Sequence, residues 1–394
     1  MGSRPGLQIG KIFGIPIYLH ASWVIVFSIV TFSLGQVFEQ EHPGWSTTKS
    51  WSLGLLTSLL FFGSILFHEL AHSVVAQHYK IRVVSITLFF FGGVARIGRD
   101  PAKAIQEFNI ASAGPLASFF LAGVCWGLMS VFPGSHELAA VAGWLGFINS
   151  RLALFNLIPG FPLDGGRILR AAIWGLTKSY LRATQLAAAS GRLIAYTMML
   201  IGAWAAFNPD FKLSLGGQPL VDGRLSGVWL VFIGWFLLNA AQESVAQVAV
   251  RETLTGLTAA DVMSQEVPTF PGHSTLEEYG AEVLRTGRRC HMVLQDTRLV
   301  GLMNVHSLNA VPREEWAHNA VQSAMIPREK VLWTSPHEPL MRLLERILKA
   351  DINQMPVVSI SPDGNAQIVG MVTRDSILRV MQTRTELGTL EAGQ

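Results

Sequence analysis

The chain has 394 residues, half of them hydrophobic and only 14% charged, with a formal net charge of +3. Soluble proteins are about one-quarter charged, so the composition excludes an ordinary soluble chain, and a balance so near neutrality leaves no electrostatic footprint for nucleic acid. The shortage of charge is confined to the region before about residue 250, so a membrane part (residues 1–250) precedes a soluble part (residues 251–394).

In chain order, six segments reach the roughly 20 apolar residues that a membrane span needs. They are predicted at Ile17–Phe38, Trp51–Ala76, Phe108–Val131, Ala139–Phe161, Leu186–Phe207 and Val228–Val248. The first lacks a small-residue cleavage site and reads as a retained span rather than a signal peptide. Between the second and third spans lies IRVVSITLFFFGGVARI, Ile81 to Ile97, rich in β-branched and aromatic residues with Gly92-Gly93 inside it. That is a β-hairpin pattern, apolar enough to enter the membrane wherever protein or a wet cavity satisfies its backbone. Basic residues gather in alternate loops. Arg4 and Lys11 precede span one, Lys80, Arg82, Arg96, Arg99 and Lys103 follow span two, and Arg167, Arg170, Lys178 and Arg182 follow span four. The other loops hold only Lys49, Lys212 and Arg224. Positive loops face the cytoplasm, which predicts both termini and the soluble part there. Cys125 and Cys290 fall one in each part and suggest no disulfide framework. The soluble part repeats itself. One copy runs from Ala260-Asp261-Val262-Met263 to Leu299–Asn304, the other from Ser323-Ala324-Met325 to Ile368–Thr373, and each holds a helical pattern and an apolar strand.

Span two carries His68-Glu69-Leu70-Ala71-His72. Residues four apart on a helix lie about 40° apart around its axis, so the two imidazoles face one way and can share a zinc ion. Glu69 then stands beside the first of them, placed to take a proton from activated water. A carboxylate in a membrane costs at least about 2.5 kcal/mol, which marks such a group as functional unless it is paired. A catalytic zinc needs a third protein ligand. Asp164 is the candidate, at the cytoplasmic end of span four in NLIPGFPLDGGR (Asn156–Arg167), where Pro159 and Pro162 break the helix. A capping aspartate in a Pro/Gly turn is the alternative for that residue. His20 is expected at the interface beside Tyr18, and His42, His78 and His136 in solvated loops.

The HELAH span, the NLIPGFPLDGGR segment and the basic orientation together resemble the site-2 protease family of intramembrane metalloproteases. Asn156, Pro159, Asp164 and Gly165 match its N-x-x-P-x-x-x-x-D-G motif. The resemblance covers about residues 10 to 245. It implies His68, His72 and Asp164 as ligands of one catalytic Zn2+ ion, Glu69 as the catalytic base, and Asn156 as support for the oxyanion or substrate. Ser112-Ala113-Gly114-Pro115-Leu116 resembles the family's A-G-P motif and is expected to allow close helix packing. The hairpin then gains a role: an unwound substrate loses backbone partners in lipid, and a strand edge near the zinc supplies them by strand addition.

The soluble repeat resembles a tandem pair of cystathionine β-synthase-type (CBS) domains, a family that often binds adenine nucleotides. Its members usually place Thr or Ser, then Asp three residues later, to hold the ribose. Here those positions are Thr373 and Ser376, with Asp375 one residue early, and Asn304 and Ser307. Neither copy has the carboxylate, which counts against nucleotide binding and favours homodimerisation or substrate docking. The expected fold class is therefore a polytopic α-helical membrane protein with a membrane-associated β-hairpin and a cytoplasmic α/β tandem CBS-type domain. The expected function is an intramembrane zinc endopeptidase of a bacterial-type inner membrane, acting in regulated intramembrane proteolysis on membrane proteins with a transmembrane segment. A CBS-gated transporter and a catalytically inactive zinc-binding receptor are the competing readings.

Overall fold

A computed structural model describes residues 6–391 except 91, 209, 216–217, 297 and 361–365. The chain divides into two compact units, Met1–Val248 and Ala249–Gln394.

Among the described residues six helices are long and apolar enough to cross a membrane: α1 (Ala21–Glu41), α2 (Thr47–His78), α3 (Ala104–Val131), α4 (His136–Asn156), α6 (Tyr180–Phe207) and α7 (Gly223–Leu254), the last beginning in the first unit and ending in the second. A shorter helix, α5 (Asp164–Thr177), lies between α4 and α6. Small residues let these helices approach. A Cβ on Gly54 of α2 would sit 2.8 Å from the Gly35 backbone nitrogen of α1, the close backbone approach by which apolar helices pack where no hydrophobic drive separates them from lipid. Two buried hydroxyls on α2 are satisfied within the helix: Thr57 and Ser58 donate to the carbonyls of Leu53 and Gly54.

The sheet differs from the expectation. It has four strands, in the order β1 (Leu7–Ile12), β2 (Ile15–Leu19), β3 (Val83–Phe89) and β4 (Gly92–Ile97). β1–β2 and β3–β4 are antiparallel and β2–β3 is parallel. Span one was expected from Ile17, but Ile15–Leu19 is strand and α1 begins only at Ala21. Ile15 and Ile17 are buried rather than lipid-facing; a short apolar run preceding a helix does not reveal by periodicity that it is a strand. The β1–β2 turn places Phe13 and Gly14 at φ 51° and 77°, the double positive φ that suits a two-residue hairpin. In the β3–β4 hairpin the last pair is Phe89–Gly92, so Gly92 and Gly93 open β4 instead of making the bend. The sheet's buried face joins Ile15, Val83 and Ile86 to Ala76 of α2 and Ile110 of α3 in one core.

Span four also ends early. α4 stops at Asn156, because Pro159 cannot continue a helix and disfavours helical backbone just before it. A turn with a cis Phe161–Pro162 bond leads into α5. α5 escaped the sequence reading because it is too short to span and its Arg167 and Arg170 read as loop charge. A small hairpin, β5 (Lys212–Leu215) with β6 (Gln218–Asp222), precedes α7 and was not expected either.

In the second unit the repeat appears as two α/β motifs. The first holds α8 (Ala259–Val262), β7 (Thr269–Pro271), α9 (Leu276–Thr286), β8 (Cys290–Gln295), β9 (Arg298–Asn304) and α10 (Val305–Asn309). The second holds α11 (Val321–Ala324), β10 (Ile326–Pro327), α12 (Leu340–Lys349), β11 (Gln354–Ile360), β12 (Ala366–Thr373) and α13 (Arg374–Glu391). β8 and β9 pair antiparallel, as do β11 and β12. Each pair runs directly into a helix capped by the residue types noted above. Asn304 Oδ1 accepts from the Ser307 amide at 2.8 Å and Thr373 Oγ1 from the Ser376 amide at 3.0 Å, both N-cap bonds. Both cysteines are free, and burial pushes the Cys290 thiol up to about 12, which leaves it unreactive.

Candidate metal centre

The C-terminal half of α2 presents His68 and His72 toward α3, where both are buried, at 5% and 4% exposure. Each ring is pinned through Nδ1. His72 Nδ1 lies 2.6 Å from the Ile110 carbonyl oxygen of α3. A carbonyl only accepts, so Nδ1 carries the proton and Nε2 presents its lone pair. His68 Nδ1 lies 2.9 Å from Ser118 Oγ, two turns further along α3. Outer hydrogen bonds of this kind fix the orientation and tautomer of metal-binding imidazoles.

Asp164 comes from the first turn of α5, where a carboxylate suits the helix dipole. Its Oδ2 lies 3.1 Å from His68 Nε2 and 3.2 Å from His72 Nε2, and the two Nε2 atoms are 3.2 Å apart. Zinc bonds to such atoms measure about 2.0–2.2 Å, so donors at tetrahedral angles stand about 3.3 Å apart. The three donor atoms fit zinc in type, spacing and burial.

Two glycines shape the space around them. A Cβ on Gly114 of α3 would overlap His72 Nε2 and lie 2.5 Å from His68 Nε2. The A-G-P segment was expected to serve close helix packing, and its glycine does bring α3 directly against α2, at the two donor atoms. On the other side, a Cβ on Gly93 of β4 would overlap Glu69 Cγ and lie 3.1 Å from its Cδ. The Glu69 side chain thus rests directly on the backbone of the sheet's edge strand.

Asn156 is the last residue of α4, half-buried, and no hydrogen bond links it to the three donors. His20, His42, His78 and His136 are not part of the donor cluster. His20 caps α1, its Nδ1 accepting the Ser22 amide at 3.2 Å. His42 closes α1 and stacks on Trp45. His78 and His136 lie in helix ends and not in loops, as the last residue of α2 and the first of α4. Sequence reasoning missed Ser118, a hydroxyl in an apolar span that could have been flagged as a partner for one of the histidines.

Membrane-crossing helices that bring a buried His-His-Asp donor set together beside a glutamate define a membrane-embedded metalloprotease. Comparison with known proteins gives the family. The profile of peptidase family M50 matches residues 56–142 and 134–200, and that of the CBS domain matches residues 322–383. The Synechocystis sp. relative sll0528, named as a zinc metalloprotease, is 32% identical over 382 residues, 96% of each chain. Rip3 of Mycobacterium tuberculosis, also so named, is 32% identical over 383 residues, 96% of this chain and 93% of its own. The solved site-2 protease of Methanocaldococcus jannaschii is 30% identical, covering 61% of this chain and 94% of its own with a TM-score of 0.42. The chain belongs to peptidase family M50, the site-2 proteases: it is a multi-pass membrane zinc metalloprotease with a C-terminal CBS-type unit.

Proposed function

We propose that this protein hydrolyses peptide bonds within or near transmembrane segments of other membrane proteins, in regulated intramembrane proteolysis, with His68, His72 and Asp164 holding the zinc and Glu69 as general base. The carrying observation is the convergence of two pinned imidazoles and a carboxylate from a separate helix to 3.1–3.2 Å, with Glu69 next in chain to the first imidazole. Zinc, when bound, supplies a Lewis acid that polarises the scissile carbonyl and makes water acidic enough to attack at neutral pH. The Glu69 carboxylate takes the proton of the attacking water and delivers it to the leaving amide nitrogen. Asn156 at the end of α4 offers an amide donor for the developing oxyanion or for the substrate backbone. Expected results follow for Asp164→Ala: the purified protein loses its zinc by elemental analysis while its helix content stays unchanged. Zinc retained at the wild-type level would rule out Asp164 as a ligand.

In the same reading, β4 receives the substrate. It is the edge strand of the sheet and Glu69 packs on it. An unwound transmembrane segment added there regains its backbone hydrogen bonds next to the catalytic carboxylate. Gly92 opens β4 at φ 126°, a conformation closed to proline. Gly92→Pro is expected to abolish cleavage of a reconstituted substrate while zinc content holds; unchanged cleavage would refute substrate pairing. In the same proposal both termini and the CBS-type unit face the cytoplasm of a bacterial-type inner membrane, a reading supported by the basic residues of alternate loops. The CBS-type pair serves homodimerisation or substrate docking, a reading supported by serines, Ser307 and Ser376, standing where a ribose-binding carboxylate is expected.

A further inference from the structure

α3 and α5 meet at two places. At one, Gly114 and Ser118 of α3 face the two histidines that Asp164 of α5 approaches. At the other, Glu107 of α3 meets Arg170 of α5. Arg170 Nε donates to Glu107 Oε1 at 2.8 Å, and a second guanidinium nitrogen donates to the same oxygen. Glu107 is fully buried and Arg170 only 6% exposed. The guanidinium also lies 4.6 Å from the Phe161 ring, in the turn before Asp164, and 4.7 Å from the Tyr180 ring, which opens α6. One side chain therefore ties together α3, α5, the turn into α5 and the start of α6.

This arrangement is a costly way to gain stability. Two charges have left water, and Glu107 Oε2 has no hydrogen-bond partner. Buried ion pairs are often no better than apolar residues of the same volume. What such a pair does provide is a defined geometry, because two N–H groups of one planar guanidinium can donate to the same Glu107 oxygen in few orientations. α5 needs that definition. Its first turn is Asp164-Gly165-Gly166, and consecutive glycines weaken a helix start. They are required, since a Cβ on Gly165 would overlap the Leu157 carbonyl oxygen and one on Gly166 the Gly160 backbone. The turn that presents Asp164 is thus anchored by side chains beyond its glycines: Arg167 Nε lies 4.0 Å from Glu107 Oε1, and Arg170 makes the closer, buried contact. Six residues of helix put that anchor about 9 Å from Asp164, and seven put Glu107 about 10 Å from Gly114 along the opposing helix.

We infer that the Glu107–Arg170 pair is a positioning strut that sets the register of α5 on α3 and so holds the Asp164 carboxylate at the two histidines. The inference rests on the ligand assignment proposed above. It is tested on the full-length protein in detergent with E107L/R170M, which removes both charges together, and R170K, which keeps the charge but loses the fork. The readouts are the zinc dissociation constant, the absorption spectrum of the Co2+-substituted protein and the thermal midpoint. The double variant should melt near the wild-type temperature, since the two buried charges are removed together and Arg167, which also lies 4.0 Å from Glu107, is partly exposed to water. Its zinc dissociation constant should rise about 10- to 100-fold, the usual effect of losing an outer support of a metal ligand, with altered Co2+ band intensities. R170K should shift both in the same direction by less. Wild-type zinc affinity and Co2+ spectrum in E107L/R170M would overturn the strut; if that variant does not fold, the same result in R170K does so. Failure of the ligand assignment is read separately, as zinc retained by Asp164→Ala.

Discussion

Glu69→Gln is expected to leave zinc bound at the wild-type level and to slow cleavage of a reconstituted membrane substrate by about 10²- to 10⁴-fold, the range that a positioned general base contributes. Glutamine fills the same volume, so the contact with Gly93 of β4 is preserved and the helix is not disturbed. The donor atoms lie on His68, His72 and Asp164, and each imidazole is held from its far side by Ser118 or Ile110. Nothing in that set depends on the Glu69 charge. What is lost is the proton acceptor. Elemental analysis and a cleavage assay in proteoliposomes measure the two halves independently. Normal cleavage by the variant would show that another group moves the proton.

Gly114→Ala is the second large effect. Ordinarily this change favours a helix by about 1 kcal/mol. Here the added methyl group would occupy the space in front of both Nε2 atoms. α3 cannot easily withdraw, because its Ile110 carbonyl bonds His72 and its Ser118 bonds His68. The zinc dissociation constant is expected to rise about 100-fold or more, the upper end of what a disturbed metal environment costs, without loss of helix content. Competition with a chelator measures the first quantity and circular dichroism the second. An alanine variant with wild-type zinc affinity would return Gly114 to a plain packing role. The opposite signs of helix propensity and metal affinity make the experiment decisive.

Parts of the architecture were open to direct reading. The six spans follow from length and apolarity, and the structure alters their ends more than their number. The errors fall where a local pattern was shared by two structures. Ile15–Leu19 is apolar in either a strand or the start of a span, and only its pairing with β1 and β3 makes it strand. β1 is exposed along its whole length, so the short alternation of Leu7 and Ile9 with Gln8 and Gly10 marks no buried face. α5 was hidden because its two arginines resemble the charge of a cytoplasmic loop, whereas Arg170 is buried against Glu107.

By itself the sequence determined what a single element can determine: the membrane part, the repeat in the soluble part, and the shared helix face of His68 and His72 with Glu69 beside them. Helical period and span length are properties of a few consecutive residues, so one sequence suffices for them. Asp164 was suggested by its motif, but a carboxylate in a Pro/Gly turn is also an ordinary cap. Only the tertiary structure brings it to the histidines, across a separation of 96 and 92 residues. The same holds for Gly114, Ser118, Gly93 and the Glu107–Arg170 pair. Their roles lie in distances between atoms of different helices and strands, and those distances are set by packing, which no local pattern encodes.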